Sequence, residues 1–456
     1  MLNTKTRNII SSVGSILSAH EFKRLISMAS NYISTYHREY DIKGLEEYKQ
    51  KRLTMLLQHA IKTVPFYQTL WHEAGIAEIP SNYKKDILPY IPLIDKTQLQ
   101  ACGYKKLISS VSRPSSLSKS SGTTGTPVFR FKDNTALVYN DLTILRYLRD
   151  NCIPIGSTIL FTHSNKTTPM SIQPVPLQFL SKRVFASVFE FMENPKLAHK
   201  MDINVVVGSP HQLQLLAEAV FSKSSVKPPK LFVSIAEKLD IHQRTSIEKL
   251  TGSNVIDVYC GSEFSALIAF ECCQCKKLHT NSDFLIVEIL DSENKPVNAG
   301  GIGEIVITDL CNYVSPLIRY KTGDLATVSI SSSCECKRAL PVQLKKIEGR
   351  ITDQIVLNEG KRISVLPILD DLRALLNRNF TLVQEDVDIF TLQIHELKNE
   401  DSNLEFSSVQ DILIMKLCVN VSVRIQFDQL SNRISNSSTK VRSFVSRIPR
   451  KENLLI

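Results

Sequence analysis

The fold is decided between Met201 and Phe264, MDINVVVGSPHQLQLLAEAVFSKSSVKPPKLFVSIAEKLDIHQRTSIEKLTGSNVIDVYCGSEF. Short apolar runs at Ile203–Val207, Leu231–Ile235 and Val255–Tyr259 alternate with helical stripes at Pro210–Ser222 and Asp240–Leu250. Short apolar runs rich in β-branched residues read as buried strands, and helices of this length between them read as crossovers. The repeat is β-α-β, which demands a largely parallel sheet covered by helices on both faces. Upstream, Ser157–Thr162 adds a strand and Asn134–Arg149 a helix. Ligands of such sheets gather at the carboxyl ends of the strands.

One of those ends is VYCGSEF, Val258 to Phe264. An aromatic ring, a small turn and a carboxylate suit a nucleotide: Tyr259 can stack on a base and Glu263 can hold a Mg²⁺ bridging phosphates. A buried tyrosine and a helix-starting glutamate would look the same. Further upstream, SSGTTGTP spans Ser120 to Pro127, with Gly122 and Gly125 three residues apart among hydroxyl side chains. Such a loop can curl backbone N–H groups and hydroxyls around an anion. It lacks the Lys-Ser/Thr of a Walker loop and the spacing of a dinucleotide fingerprint, and alone it also describes a surface turn. Downstream, Leu285–Leu290 and Glu304–Thr308 flank a turn-rich stretch and read as a hairpin, so an antiparallel β subdomain is appended here. In YKTGDL, Asp324 follows Gly323 and is placed to accept the two hydroxyls of a ribose; a type I turn closing a hairpin reads equally well.

Six of the ten cysteines crowd two turns: Cys272, Cys273 and Cys275, with His279 after them, and the pair Cys334 and Cys336. Two short-spaced thiol pairs brought together across a hairpin are what a structural Zn²⁺ asks for. The preferred ligand set is Cys273, His279, Cys334 and Cys336, with Cys275 or Cys272 able to displace His279. The remaining cysteines read as thiols of a reducing compartment, since no secretory signal is seen, and the location expected is cytoplasmic.

The 456 residues are 43% hydrophobic and 22% charged, an ordinary globular composition with a net charge of +10. Lysine and arginine are scattered, and no recognition helix or aromatic-interleaved basic stripe appears, so a nucleic-acid partner is not expected and anionic small molecules are. No apolar run reaches the roughly 20 residues of a membrane span. Residues 1–110 read as a helical N-terminal region, in which Leu53, Leu56, Leu57, Ala60 and Ile61 form one stripe. Residues 111–347 form the core with the Cys-rich β subdomain. From Lys345, KKIEGRITDQIVLNEGKRIS reads as a linker into a mobile α+β lid over residues 348–456, with helices at Leu366–Leu376 and Ser407–Cys418 and strands at Phe390–His395 and Val421–Phe427. The class is therefore α/β with α+β subdomains. Near the end, Lys440 sits in a polar tail from which a lysine can meet charge developing at phosphorus.

SSGTTGTP, VYCGSE, YKTGDL, EGRITD and a near-terminal lysine stand in one order that resembles the adenylate-forming superfamily of acyl- and aryl-CoA synthetases, luciferases and adenylation domains. TVPFYQ, IPLIDK and the cysteine clusters look like the phenylacetate-CoA ligase branch and its capsule-biosynthesis relatives. The resemblance implies that a carboxylic acid is activated by ATP as an acyl-adenylate, then passed to a thiol such as coenzyme A or a carrier protein. It implies that Ser120, Ser121, Gly122, Thr123, Thr124 and Gly125 hold the β- and γ-phosphates, and that Tyr259 with Gly261 and Ser262 forms the adenine turn. Glu263 would take Mg²⁺, Asp324 the ribose, and Arg350 the hinge side of the nucleotide; Lys440, with Thr123 and Glu263, would serve adenylation. Cys260 replaces a usual glycine, SIAE at Ser234–Glu237 a glycine-rich turn, Thr352 a hinge carboxylate or lysine, and Thr439 the glycine before the lysine. Those departures keep two other readings open: a binding protein of the same fold without turnover, and a ligase whose acceptor is an amine or a carrier protein.

Overall fold

The computed structural model describes residues 30–80, 87–119, 129–165, 168–172, 181–330, 334–351, 353–358, 361–376, 380–396, 406–429 and 444–448. The hydroxyl-rich loop Ser120–Gly125, Thr352, Thr439 and Lys440, together with the first residues of the chain, lie outside that set.

Strands are numbered along the chain. A hairpin of β1 (Ser116–Lys119) and β2 (Phe129–Lys132) carries the two ends of the hydroxyl-rich loop. Next come β3 (Thr158–His163), β4 (Ser171–Ile172), β5 (Lys182–Ser187), β6 (Ile203–Gly208), β7 (Leu231–Ser234) and β8 (Asn254–Tyr259). They are followed by β9 (Ala269–Glu271), β10 (Leu278–Thr280), β11 (Leu285–Leu290), β12 (Ile302–Asp309), β13 (Tyr320–Val328) and β14 (Val342–Arg350). From β3 to β14 they form one sheet of 12 strands, ordered β11-β12-β13-β14-β10-β9-β8-β7-β6-β3-β5-β4. Strands β5, β3, β6, β7 and β8 are parallel, as the β-α-β reading requires, and β8 pairs antiparallel with β9. A parallel half thus runs directly into an antiparallel half, and Tyr259 ends at the seam.

Each face of the parallel half has its own apolar layer. The helix Asn134–Asp150 packs Ile144, Tyr147 and Leu148 on one face, against Val205, Val207 and Val258. The helices Pro210–Leu216 and Ile241–Thr251 cover the other, where Leu213, Leu216 and Ile247 meet Val206, Phe232 and Val255. Asp240 caps the second helix by a capping box with Gln243. The N-terminal stripe of Leu53, Leu56, Leu57 and Ala60 lies on helix Ile42–Thr63 and packs on the antiparallel half. Pro65 opens a second helix, Pro65–Glu73, at a first-turn position where its missing N–H costs nothing. Trp71, Tyr67 and Phe66 of this helix are buried in the same layer. Arg146 ties the layers together, with Glu39 at 2.9 Å and Asp283 at 2.8 Å, a buried triad whose disruption would strand a charge.

Two expectations are corrected. Lys345 to Arg350, read as linker, belongs to β14, whose Leu344 is buried and whose Lys345, Lys346, Glu348 and Arg350 are strand residues. Gly323 and Asp324 lie inside β13 rather than at a hairpin turn; Gly323 has φ +76°, which suits glycine, and the β13–β14 register shifts just beyond them, between Leu325 and Ala326. Beyond β14, β15 (Gln354–Val356) and β16 (Arg362–Ser364) pair, and β17 (Phe380–Asp386), β18 (Ile389–Glu396), β19 (Ser422–Gln429) and β20 (Phe444–Ser446) form a second sheet in the order β19-β18-β17-β20. Helices Leu366–Leu376 and Phe406–Leu417 share with them an apolar cluster running from Ile355 to Phe444.

Candidate active site

At the seam, β8 delivers Tyr259, β13 delivers Asp324 and β14 delivers Arg350. The Tyr259 hydroxyl donates to Asp324 Oδ2 at 2.8 Å, and Arg350 Nε lies 3.4 Å from Asp324 Oδ1. Asp324 and Arg350 are direct partners in the β13–β14 register, so sheet pairing places them. The Thr322 hydroxyl accepts from the Asp324 N–H at 3.1 Å and donates to the Ile305 carbonyl at 2.9 Å, fixing the backbone beneath the carboxylate. Burial, then the neighbouring Asp324 charge, hold the Tyr259 phenol well above its ordinary value, so it stays a donor at any physiological pH.

Glu263 stands on the turn after β8. Gly261 is close behind it: a Cβ there would lie 2.8 Å from Glu263 Oε2 and 3.1 Å from the Phe264 ring, so a larger residue would displace the Glu263 side chain. Ser262 is exposed, and its carbonyl accepts from Ser118 and from Lys132, each at 3.0 Å. A cation that the sequence reading missed also belongs here. Lys96 opens the helix Lys96–Cys102, which Asp95 caps through Gln98, and the segment is docked by hydrogen bonds from Ile94 N–H to the Arg319 carbonyl and from Lys321 N–H to the Ile94 carbonyl. Burial, followed by Arg350, lowers the Lys96 ammonium from its ordinary value, while Glu263 pulls it the other way. Lys96 therefore shares one electrostatic neighbourhood with Arg350 and Glu263. An Asp followed three residues later by Gln, as in Asp95 and Gln98, is a capping-box signal for this helix, but no spacing shows what Lys96 faces.

Two residues before Tyr259, Asp257 lines a cavity of about 450 Å³ with Lys238, Leu239, Arg244, Glu271 and Ile347. Burial and then Glu271 push the Asp257 carboxyl up to about 7, against the pull of Arg244. Arg244 bridges this floor to Glu271 at 2.5 Å.

The cysteine turns do converge. Cys272, His279, Cys334 and Cys336 present ligand atoms that all lie within 4.8 Å of one another. Around a tetrahedral ion with bonds of about 2.3 Å to sulfur and 2.0 Å to nitrogen, donor separations are roughly 3.5–3.8 Å. Cys272 Sγ lies 3.7 Å from Cys334 Sγ, and Cys336 Sγ lies 3.5 Å from His279 Nε2. His279 Nδ1 donates to the Leu340 carbonyl at 2.8 Å, leaving Nε2 aimed inward, the arrangement of a metal-binding imidazole. The choice of Cys273 is corrected: it is exposed on the outside of the turn, while Cys272, whose N–H bonds the Lys277 carbonyl, turns inward. Cys275 is a fifth donor nearby, 4.0 Å from His279 Nε2. Burial would raise the Cys272 thiol, but the His279 hydrogen bond and backbone N–H groups leave it below its ordinary value. All ten cysteines are free thiols.

No protein-family model matches the chain. Among curated proteins it is similar to a phenylacetate-coenzyme A ligase of Thermus thermophilus, 27% identical over 337 residues covering 69% of this chain and 72% of the relative. A phenylacetate-coenzyme A ligase of Pseudomonas putida is 24% identical over 341 residues, 72% of this chain and 74% of that protein. Among solved structures, 2-hydroxyisobutyryl-CoA ligase in its postadenylation state shares the fold with a TM-score of 0.70 at 18% identity, over 90% of this chain and 91% of that one. Among the described residues, no helix is long and apolar enough to cross a membrane.

Proposed function

We propose that this chain, a member of the adenylate-forming superfamily, activates a carboxylic acid with ATP and passes the acyl group to a thiol. A carboxylate oxygen attacks the α-phosphorus, the bond to the bridging oxygen breaks, and pyrophosphate leaves; a thiol then attacks the acyl carbon, its proton is lost, and AMP departs. The observation that carries this reading is the meeting of Tyr259 from β8 with Asp324 and Arg350 from β13 and β14 within hydrogen-bonding and ion-pair distance.

Asp324 would take the ribose diol, as a carboxylate offers about four lone-pair sites. The adenine would lie over Tyr259 toward the cavity floored by Asp257, with Gly261 and Ser262 shaping the turn. Glu263 would hold Mg²⁺, which commonly takes one or two protein carboxylates besides phosphate oxygens. Lys96 and Arg350 would offset phosphate charge there, joined by the loop Ser120–Gly125, with Thr123, and by Lys440. The residues of Cys272, His279, Cys334 and Cys336 fit Zn²⁺, which would pin the cysteine turns beside the base cavity. The unit that follows β14 would act as the lid, and free thiols throughout suit a cytoplasmic location. The similarity to phenylacetate-coenzyme A ligases supports an aryl or acyl substrate and coenzyme A as the acceptor.

The test is ATP–pyrophosphate exchange by the purified full chain over a panel of aryl, hydroxy and fatty acids. Exchange that depends on one class of acid is expected; ATP binding with no exchange on any acid would favour the binding-protein reading.

A further inference from the structure

Lys132 closes β2 and is buried, 8% exposed. Its ammonium donates to the carbonyls of Ser262, at 3.0 Å, and Phe264, at 2.5 Å, the residues before and after Glu263. From the paired strand β1, Ser118 Oγ donates to the same Ser262 carbonyl at 3.0 Å. On the far side of the segment, Asp309 accepts from the Ser265 N–H at 2.8 Å and the Thr143 hydroxyl from the Leu267 N–H at 3.2 Å. A buried ammonium is costly unless acceptors meet it, and here the acceptors that meet it belong to one turn. Burial lowers its pKa, with Asp309 opposing, as expected of a charge held inside rather than at the surface.

We infer that Lys132 is a positioning residue for the Glu263 carboxylate. By clasping the carbonyls on both sides, it fixes where Glu263 projects. Because β1 and β2 are also the two ends of the hydroxyl-rich loop, the clasp makes that loop's base and the Glu263 turn one frame. A lysine suits this better than an arginine, since a compact point charge can address two carbonyls at once without a planar fork to orient. The inference rests on the reading of Glu263 as the carboxylate on the magnesium side.

Calorimetry of ATP binding to the full chain, without any acid and with or without Mg²⁺, tests it by how much Mg²⁺ tightens binding. In Lys132→Met that tightening should fall at least tenfold, and in Lys132→Arg by less than threefold, while the Mg²⁺-free affinity stays within twofold of the parent. A folded Lys132→Met protein that keeps the parental tightening overturns the inference. So does one that loses Mg²⁺-free affinity by the same factor, because that is merely structural damage. Where Lys132→Met does not melt as a folded protein, Ser118→Ala carries the test: a loss of about threefold is expected, and none overturns it. Glu263→Gln separates the two layers. Tightening that survives in Glu263→Gln sinks the Glu263 reading and the clasp with it; loss in Glu263→Gln but not in Lys132→Met sinks the clasp alone.

Discussion

Replacing Asp324 by alanine probes the ribose site most sharply. Its carboxylate accepts from Tyr259 at 2.8 Å and faces Arg350 at 3.4 Å, and in the account above it also receives the two ribose hydroxyls. A hydrogen bond to a charged group contributes about 1.5–3 kcal/mol, so removing either ribose hydroxyl from ATP should weaken binding to the parent by roughly 10–100-fold. Removing the carboxylate forfeits both bonds, about 3–5 kcal/mol allowing for non-additivity, or roughly 10²–10⁴-fold for ATP. The Arg350 contact, partly exposed, should contribute less than about 1 kcal/mol. The Tyr259 hydroxyl would be left buried without its acceptor, which costs stability by about 1–3 kcal/mol and should appear as a lowered melting temperature that Tyr259→Phe partly restores. The assay compares ATP, 2′-deoxyATP and 3′-deoxyATP by calorimetry. The parent should discriminate and Asp324→Ala should not, binding all three alike. An Asp324→Ala protein that still prefers ATP by the parental ratio would refute the ribose assignment, however weakly it binds.

Two further outcomes follow from the geometry beside this site. The Asp257 carboxyl is raised from 3.8 to about 7, so the folded state holds a proton that the unfolded chain releases above pH 4. Stability from this group is thus fully present below about pH 4 and lost as pH rises toward 7, and Asp257→Asn should be spared that loss. The gap in unfolding free energy between Asp257→Asn and the parent should widen between pH 5 and pH 8 by something on the order of 2–3 kcal/mol; a gap independent of pH would contradict the raised value. Metal analysis of the native chain should find about one zinc per chain, lost in Cys272→Ser and Cys336→Ser but kept in Cys273→Ser, and chelation should lower the melting temperature because metal affinity is folding energy. Protein without metal whose melting ignores chelators would end the zinc assignment.

The parallel half of the sheet was legible because its strands are apolar on both faces: β6, β7 and β8 fall within a residue of where alternation with helices puts them. β5 was missed, since KRVFAS opens with two charges, and Arg183 is tolerated inside only because Asp141 meets it at 2.6 Å, a partner the sequence does not reveal. β14 was read as a linker for a similar reason, as Lys346 and Glu348 pair with one another along the strand at 3.1 Å. Spacing alone found the two cysteine turns but could not tell Cys272 from Cys273, because neighbouring residues of a turn point apart and only the turn's hydrogen bonds say which one faces in. Spacing and composition gave neither Lys96 nor Lys132 a role. Their roles depend on contacts more than a hundred residues away, with Arg350 and Glu263 for the first and with Ser262 and Phe264 for the second.

The proposed attack of a carboxylate on the α-phosphorus of ATP, beside Tyr259 and Asp324, is read most directly from the fate of the carboxylate oxygen. An acid that supports pyrophosphate exchange, labelled with ¹⁸O in its carboxyl group, should be turned over with ATP and a thiol and the products weighed by mass spectrometry. One ¹⁸O is expected in the phosphate of AMP, carried there by the bridging oxygen of the acyl-adenylate. AMP free of label, or ADP with label in inorganic phosphate, would contradict it.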